Sequence, residues 1–211
     1  VKFSLLTPTK DRPETLQRTI ASALAQSYED WEQIVYDVGD TPATVPDDPR
    51  IRYVRGECRG PAQDFQAALD LATGDVVHPL SDDDRLTWWA LETVADNIGD
   101  ADWLYGRTLF IRDGYPVLIL GDEFELYRLR RGYYLGGAVY WRKSLTDHIG
   151  GFDPTFDGAA DYDLYLRMAE HVEPKRLTEI LYLYHDHDQT DSRVNMERQA
   201  DASQRIMERA A

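Results

Sequence analysis

Over its first hundred residues this chain switches repeatedly between strand and helix periodicity, and that alternation restricts it to a layered α/β fold. Val1, Phe3 and Leu5-Leu6 alternate as a strand that ends in Thr7-Pro8-Thr9. Asp11 and Glu14, placed around Pro13, have the spacing of a capping box. Leu16, Ile20, Ala23 and Leu24 then recur at helical spacing and give one apolar face. Short strands are expected at residues 34–36 and 50–55. Pro61 opens a second helix with Phe65, Ala68, Leu69 and Ala72 on one side, and Gly74 closes it. Such alternation is the pattern of a largely parallel sheet covered on both faces.

The second half reads differently. Apolar runs at 108–111 and 115–120 flank Asp113-Gly114, a strong hairpin signal. Gly136-Gly137 leads into a strand at 138–141, and Gly150-Gly151-Phe152-Asp153 forms a turn. A helix is expected over 161–170 with Leu164 and Met168 on one face, a late strand over 180–184, and a polar terminal helix from Ser192 onward. Nothing resembles a repeat or a linker. The expectation is one α/β domain over residues 1–211: a mostly parallel central sheet flanked by helices, with a smaller antiparallel portion. Residues 1–100 form one half, 101–190 the other, and 191–211 a terminal helix.

Charge narrows the partners. The 211 residues include 38 acidic and 23 basic side chains, a net charge of −15. That field repels nucleic-acid backbones and anionic membranes, so no nucleic-acid partner is expected. Arg128, Arg130 and Arg131 make the only compact basic stretch. A single cysteine, Cys58, excludes an internal disulfide and fits a reducing compartment. No apolar stretch reaches the length of a membrane span, so a cytoplasmic location is expected.

The chemistry concentrates in Asp82-Asp83-Asp84, which follow the apolar run 76–80. Carboxylates at the carboxyl end of a buried strand face the crevice where open α/β sheets bind ligands. Three so close repel one another unless a cation neutralises them. Mg2+ or Mn2+ suits an all-oxygen set and usually arrives with phosphates. A solvated acidic turn is the plainer alternative.

Several landmarks in order make the chain resemble a family-2 glycosyltransferase of the GT-A fold, a Rossmann-like single domain. Residues 4–13, from Ser4 to Pro13, are similar to that family's opening strand and loop. Ser22-Ala23-Leu24-Ala25-Gln26-Ser27-Tyr28 is similar to its helix end, and 31–41 to its second strand with an acidic tip. Ala67-Ala68 to Gly74-Asp75, with the aspartate triplet, resembles its metal-binding segment. Gly136-Gly137-Ala138 and Ile149-Gly150-Gly151-Phe152-Asp153 resemble its acceptor-side landmarks, and 161–167 the helix led by its catalytic base. The resemblance covers residues 1 to 185.

It implies an inverting, metal-dependent transfer of a sugar from a nucleotide-diphosphate sugar to an acceptor hydroxyl. Asp161 would be the base. Asp83 and Asp84 would hold the divalent cation (Mn2+ or Mg2+), with His185, or His187 beside it, added from a late loop. Pro8, Thr9, Lys10, Arg12, Asp37 and Asp82 would contact the donor, and Gly136, Gly137, Trp88 and Trp89 the acceptor side. Large aromatics more often pack in cores, and core burial is expected for at least three of Trp88, Trp89, Trp141, Tyr133 and Tyr134. Three positions depart from the family: Lys10 replaces an aromatic, Val38 an acid and Ala160 a glutamate. They keep a decayed nucleotide- or sugar-binding module open. A nucleotidyltransferase or phosphohydrolase is the other alternative, although no Gly-rich, Lys-bearing phosphate loop follows the first strand. The acceptor stays open among saccharide, lipid-linked and other hydroxyls.

Overall fold

The computed structural model describes residues 1–211, except the side chains of residues 191 and 192. Its centre is one nine-stranded sheet. Strand β1 (Phe3–Thr9) lies in the middle of the parallel part, between β2 (Trp31–Asp37) and β4 (Val76–Pro79), with β3 (Ile51–Arg55) beyond β2. Pairing puts Thr9 beside Asp37, and Asp37 beside Arg55, at the carboxyl ends of three adjacent strands. Strand order reverses at β1, which opens a crevice above those ends.

The second half extends this sheet. The strand β8 (Val139–Arg142) runs antiparallel to β4 and to β6 (Trp103–Arg112). Next comes β9 (Lys175–Asp186), parallel to β6, and then the two-residue β5 (Arg85–Leu86). The hairpin partner β7 (Tyr115–Leu120) pairs with β6 through the Asp113-Gly114 turn. Asp113 has φ 52 and Gly114 φ 82, the left-handed pair that a tight hairpin needs.

Helices cover both faces. On one, α2 (Pro61–Leu71), α6 (Ala160–His171) and α8 (Met196–Arg209) bury Leu69, Leu164 and Ile206 in the cluster around Trp103 and Trp141. On the other, α1 (Pro13–Leu24) and α3 (Ala90–Ile98) bury Ala23, Leu91 and Val94. Short helices α4 (Leu126–Leu129), α5 (Lys143–Ile149) and α7 (Asp191–Val194) and a 3-10 turn at Pro154–Phe156 complete the chain.

Four expectations need correction. The capping box is not formed: Arg12 is the N-cap residue of α1 and makes no side-chain cap, while Asp11, at φ 52, accepts from Thr41 N at 3.2 Å. Pro13 fixes the helix start without help. The late strand is twelve residues, not five, because β6 on one side and β5 on the other satisfy its backbone. The terminal helix is broken between Val194 and Met196. Helices α3 and α5 carried no start signal that the periodicity reading caught. Three of the five aromatics do pack inward, Trp141, Tyr133 and Tyr134, whereas Trp88 is 58% and Trp89 36% exposed.

Candidate active site

The turn after β4 carries all three aspartates into the crevice, and each has its own partners. Asp82, 5% exposed, accepts from Thr9 Oγ1 at 2.7 Å and from Arg12 Nη1 at 3.1 Å. Asp83 accepts from the same Arg12 Nη1 at 3.0 Å, and His187 Nε2 lies 3.2 Å from the same oxygen, Oδ2. Asp84 is buried and accepts from Tyr182 Oη at 2.8 Å and His185 N at 2.8 Å. The three carboxylates therefore gather groups from β1, the β1–α1 loop and the end of β9.

Burial and mutual repulsion dominate their electrostatics. Desolvation first, then Asp83, pushes Asp82 up to about 6 even though Arg12 and Thr9 oppose it. The same two causes raise Asp84 well above the usual carboxylate range. Such crowding of like charge in a buried crevice is typical of functional sites. Burial also raises the Tyr182 hydroxyl, with Asp84 adding to it, so Tyr182 stays a hydrogen-bond donor.

His185 and His187 divide the loop. The His185 ring turns back to Leu183 O at 3.1 Å, and it is the backbone of His185 that meets Asp84. Burial lowers the basicity of that ring, with Arg85 adding to the effect. His187, in contrast, presents its ring to Asp83. Among the described residues no group of three His, Cys, Asp or Glu side chains is arranged to hold a metal by itself. Asp83 with His187 still fits an ion of the Mg2+ or Mn2+ type, because such ions are commonly held by one or two protein ligands plus substrate phosphates and water.

The other expected donor residues line the neighbouring strand ends. Pro8 pairs with Tyr36 across β1 and β2. Lys10 is exposed, with Nζ 3.7 Å from Cys58 Sγ. Asp37 is buried and accepts from Gly39 N, Ala43 N, Tyr53 Oη and Arg55 Nη1 at 2.7–2.9 Å. Burial pushes its carboxyl up, and those four bonds outweigh the push and hold it below its ordinary value. Asp37 thus fixes the loop over 39–43 and orients Arg55.

On the opposite side, Asp161 sits in the first turn of α6, where the helix N-terminus favours a carboxylate. Its Oδ1 accepts from Tyr162 N at 2.8 Å. Its charge is felt by Tyr133 and Tyr165, whose hydroxyls are raised first by burial and then by Asp161. Tyr133 Oη donates to Gly136 O at 2.6 Å. Gly136 has φ 79, and a Cβ on Gly137 would stand 2.6 Å from the Tyr182 ring. Tyr133, which feels the charge of Asp161, bonds to Gly136, and Gly137 beside it leaves no room for a Cβ against Tyr182, which donates to Asp84. Trp88 and Trp89 take no part in these contacts. They stack edge to face at 5.4 Å where α3 begins, and Trp89 Nε1 donates to Ile180 O at 3.2 Å.

Tyr182 and Gln189, whose backbone oxygen accepts from Arg12 Nη2 at 2.9 Å, are site neighbours that the sequence pattern did not single out. Neither carries a local motif, and the partner of each lies far along the chain.

The family model described as Glycosyl transferase family 2 matches residues 4–160, well over half of the chain. The chain belongs to glycosyl transferase family 2. Among curated relatives, the uncharacterized glycosyltransferase YwdF of Bacillus subtilis is 27% identical over 203 residues, 88% of this chain and 75% of the relative. The GalNAc(5)-diNAcBac-PP-undecaprenol beta-1,3-glucosyltransferase of Campylobacter jejuni is 32% identical over 123 residues, 54% of this chain and 40% of that one. The fold matches S. aureus TarS 1-349 in complex with UDP-GlcNAc at TM-score 0.73 and 18% identity, over 90% of this chain and 60% of TarS 1-349. It matches the mannosyltransferase PcManGT of Pyrobaculum calidifontis, solved with GDP-Man and Mn2+, at TM-score 0.68 and 18% identity, over 99% and 64%. This chain spans less than two thirds of those two solved chains. The α/β architecture expected from the alternating periodicity is therefore the GT-A fold. No helix among the described residues is long and apolar enough to cross a membrane.

Proposed function

We propose that this family-2 domain moves a sugar from a nucleotide-diphosphate sugar to an acceptor hydroxyl with inversion at the anomeric carbon. The observation that carries the reading is the buried aspartate triplet beyond the end of β4, with Asp161 in the first turn of α6 near enough for its charge to act on Tyr133, which bonds to Gly136. Asp161 takes the proton of the acceptor hydroxyl as the new glycosidic bond forms. A single displacement needs no covalent intermediate, and the sugar leaves the diphosphate from the opposite face.

On the donor side, Thr9 holds Asp82 in position, and Tyr182 with the His185 backbone holds Asp84. Asp83 and His187 would hold Mg2+ or Mn2+, with Asp84 fixing the turn behind them. When bound, the ion neutralises charge on the leaving diphosphate. Pro8, Thr9, Lys10 and Arg12 face the nucleotide and its phosphates. Asp37, already saturated, acts through the loop and the arginine it orders. Gly136-Gly137 leave room on the acceptor side. Trp88 and Trp89, exposed at the start of α3, are left outside the reacting centre in this reading.

Thermal stabilisation by UDP, GDP and their sugar conjugates, each with and without Mn2+, tests the donor site. A metal-requiring shift that Asp83→Ala abolishes and Asp161→Asn preserves is expected. Absence of a shift with every nucleotide would overturn the proposal.

A further inference from the structure

We propose that Arg12 and the divalent cation exclude one another at Asp83, so that a nucleotide diphosphate opens the cation site by drawing Arg12 away. The inference rests on the donor-site reading above and adds an order and a coupling to it. It begins with one oxygen. Oδ2 of Asp83 has Arg12 Nη1 at 3.0 Å and His187 Nε2 at 3.2 Å. A carboxylate oxygen offers two lone-pair sites, and these two nitrogens claim both. A divalent ion shared between this oxygen and the His187 ring must take one of them.

The two nitrogens are not equivalent competitors. His187 has a ring lone pair when neutral and can turn from hydrogen-bonding Asp83 to sharing an ion with it. Arg12 has no lone pair to give, is always charged, and repels any cation placed on the same oxygen. Arg12 is therefore the group that must leave. Its side chain is 33% exposed, so the path to solvent is open.

Arg12 also has somewhere better to go. A guanidinium pairs with phosphate through two parallel hydrogen bonds, whereas here one nitrogen is split between Asp82 and Asp83. The diphosphate supplies the stronger partner and leaves the carboxylates to the ion. Arg12 Nη2 donates to Gln189 O at 2.9 Å as well, so its departure removes one tie on the segment that carries His187. Cation, diphosphate and loop are linked through one side chain.

The direct test is Mn2+ titration by electron paramagnetic resonance on the whole chain without nucleotide. Arg12→Gln is expected to bind Mn2+ about tenfold more tightly than wild type, the size of one charge-assisted pair. Arg12→Lys, which keeps the charge but lacks the second nitrogen that bonds Gln189 O, should fall between. Arg18→Gln is the control: it removes an exposed charge from α1 that is felt at His185 but makes no bond to the aspartates, and it should leave Mn2+ affinity unchanged. Adding UDP or GDP should tighten Mn2+ binding more in wild type than in Arg12→Gln, by the same factor of about ten, because linkage is reciprocal.

Equal Mn2+ affinity in wild type and Arg12→Gln would overturn the exclusion while leaving the cation site in place. An equal gain in Arg18→Gln would also overturn it, since the effect would then be the general field. If no form binds Mn2+ even with UDP or GDP present, the cation reading falls, and the exclusion with it.

Discussion

Replacing Asp82 by asparagine should make this protein more stable at neutral pH while weakening its donor site. The folded carboxyl is pushed from its usual 3.8 up to about 6, chiefly by burial and next by Asp83. A difference of about 2 units is worth about 3 kcal/mol at about 1.4 kcal/mol per unit. Asparagine is close to the protonated carboxyl in shape and charge, and it can keep accepting from Thr9. Its new amide N–H beside Arg12 costs about 1 kcal/mol if it finds no acceptor, which leaves a net gain of about 2 kcal/mol.

The pH window follows from the same values. The unfolded carboxyl releases its proton near 3.8 and the folded one near 6, so between them the folded protein holds the extra proton. Wild-type stability therefore falls as pH rises through that window and stays reduced above it. Asp82→Asn lacks this step, so its advantage is absent below about pH 4 and complete by about pH 7. Urea unfolding of both proteins in EDTA, at several pH values from 4 to 8, measures the difference. A variant less stable than wild type at pH 7.5, or a gain that does not change with pH, would refute the argument.

Three further outcomes are expected. Asp161→Asn should lower the transfer rate by about 10²–10⁴, the usual contribution of a general base, with donor affinity in the thermal-shift assay unchanged; a near-wild-type rate removes Asp161 from the role. Gly137→Ala puts a Cβ 2.6 Å from the Tyr182 ring and should destabilise by about 1–3 kcal/mol as an overpacked contact, read by urea unfolding, and weaken metal-dependent donor binding because Tyr182 holds Asp84. Arg209→Ala removes the ion pair at 2.6 Å to the fully buried Asp163 and should cost about 1–3 kcal/mol, less than a buried pair because Arg209 is partly exposed and Arg167 still neutralises the carboxylate. A stability unchanged within about 0.5 kcal/mol would mean that α8 does not depend on that contact.

The periodicity of the first hundred residues was sufficient for the parallel half of the sheet, because strand and helix there alternate with clean apolar spacing and Pro13 and Pro61 mark the helix starts. The aspartate triplet was legible for a related reason: three adjacent acids at the end of a buried run are rare and have few uses. What escaped was everything set by partners far along the chain. Tyr182 lies 98 residues from Asp84, Arg12 is 71 from Asp83, and His187 is 104 from it. The choice between His185 and His187 shows why. Both neighbour an aspartate in sequence, yet β9 runs on to Asp186 through its pairing with β6, and that register places His185 opposite Ile111 with its backbone against Asp84. Local pattern cannot count a register that a different strand imposes.

A buried cluster of three carboxylates is a poor way to stabilise a fold, and the rest of the structure is arranged around that burden. Arg12 is shared by two acids, Thr9 and Tyr182 are each spent on one, and even the His185 amide faces a side chain instead of a strand neighbour. Asp82 and Asp84 are still raised after all of these contacts, so the internal donors do not satisfy the cluster. Asp37, only one strand away, is the contrast: four well-placed donors hold it below its ordinary value, although it too is buried. The fold can therefore quiet a buried aspartate at these strand ends, and at the triplet it does not. In the proposed donor site this unrelieved burial and repulsion have a use, because a ligand that brings positive charge gains what the native contacts leave unsatisfied.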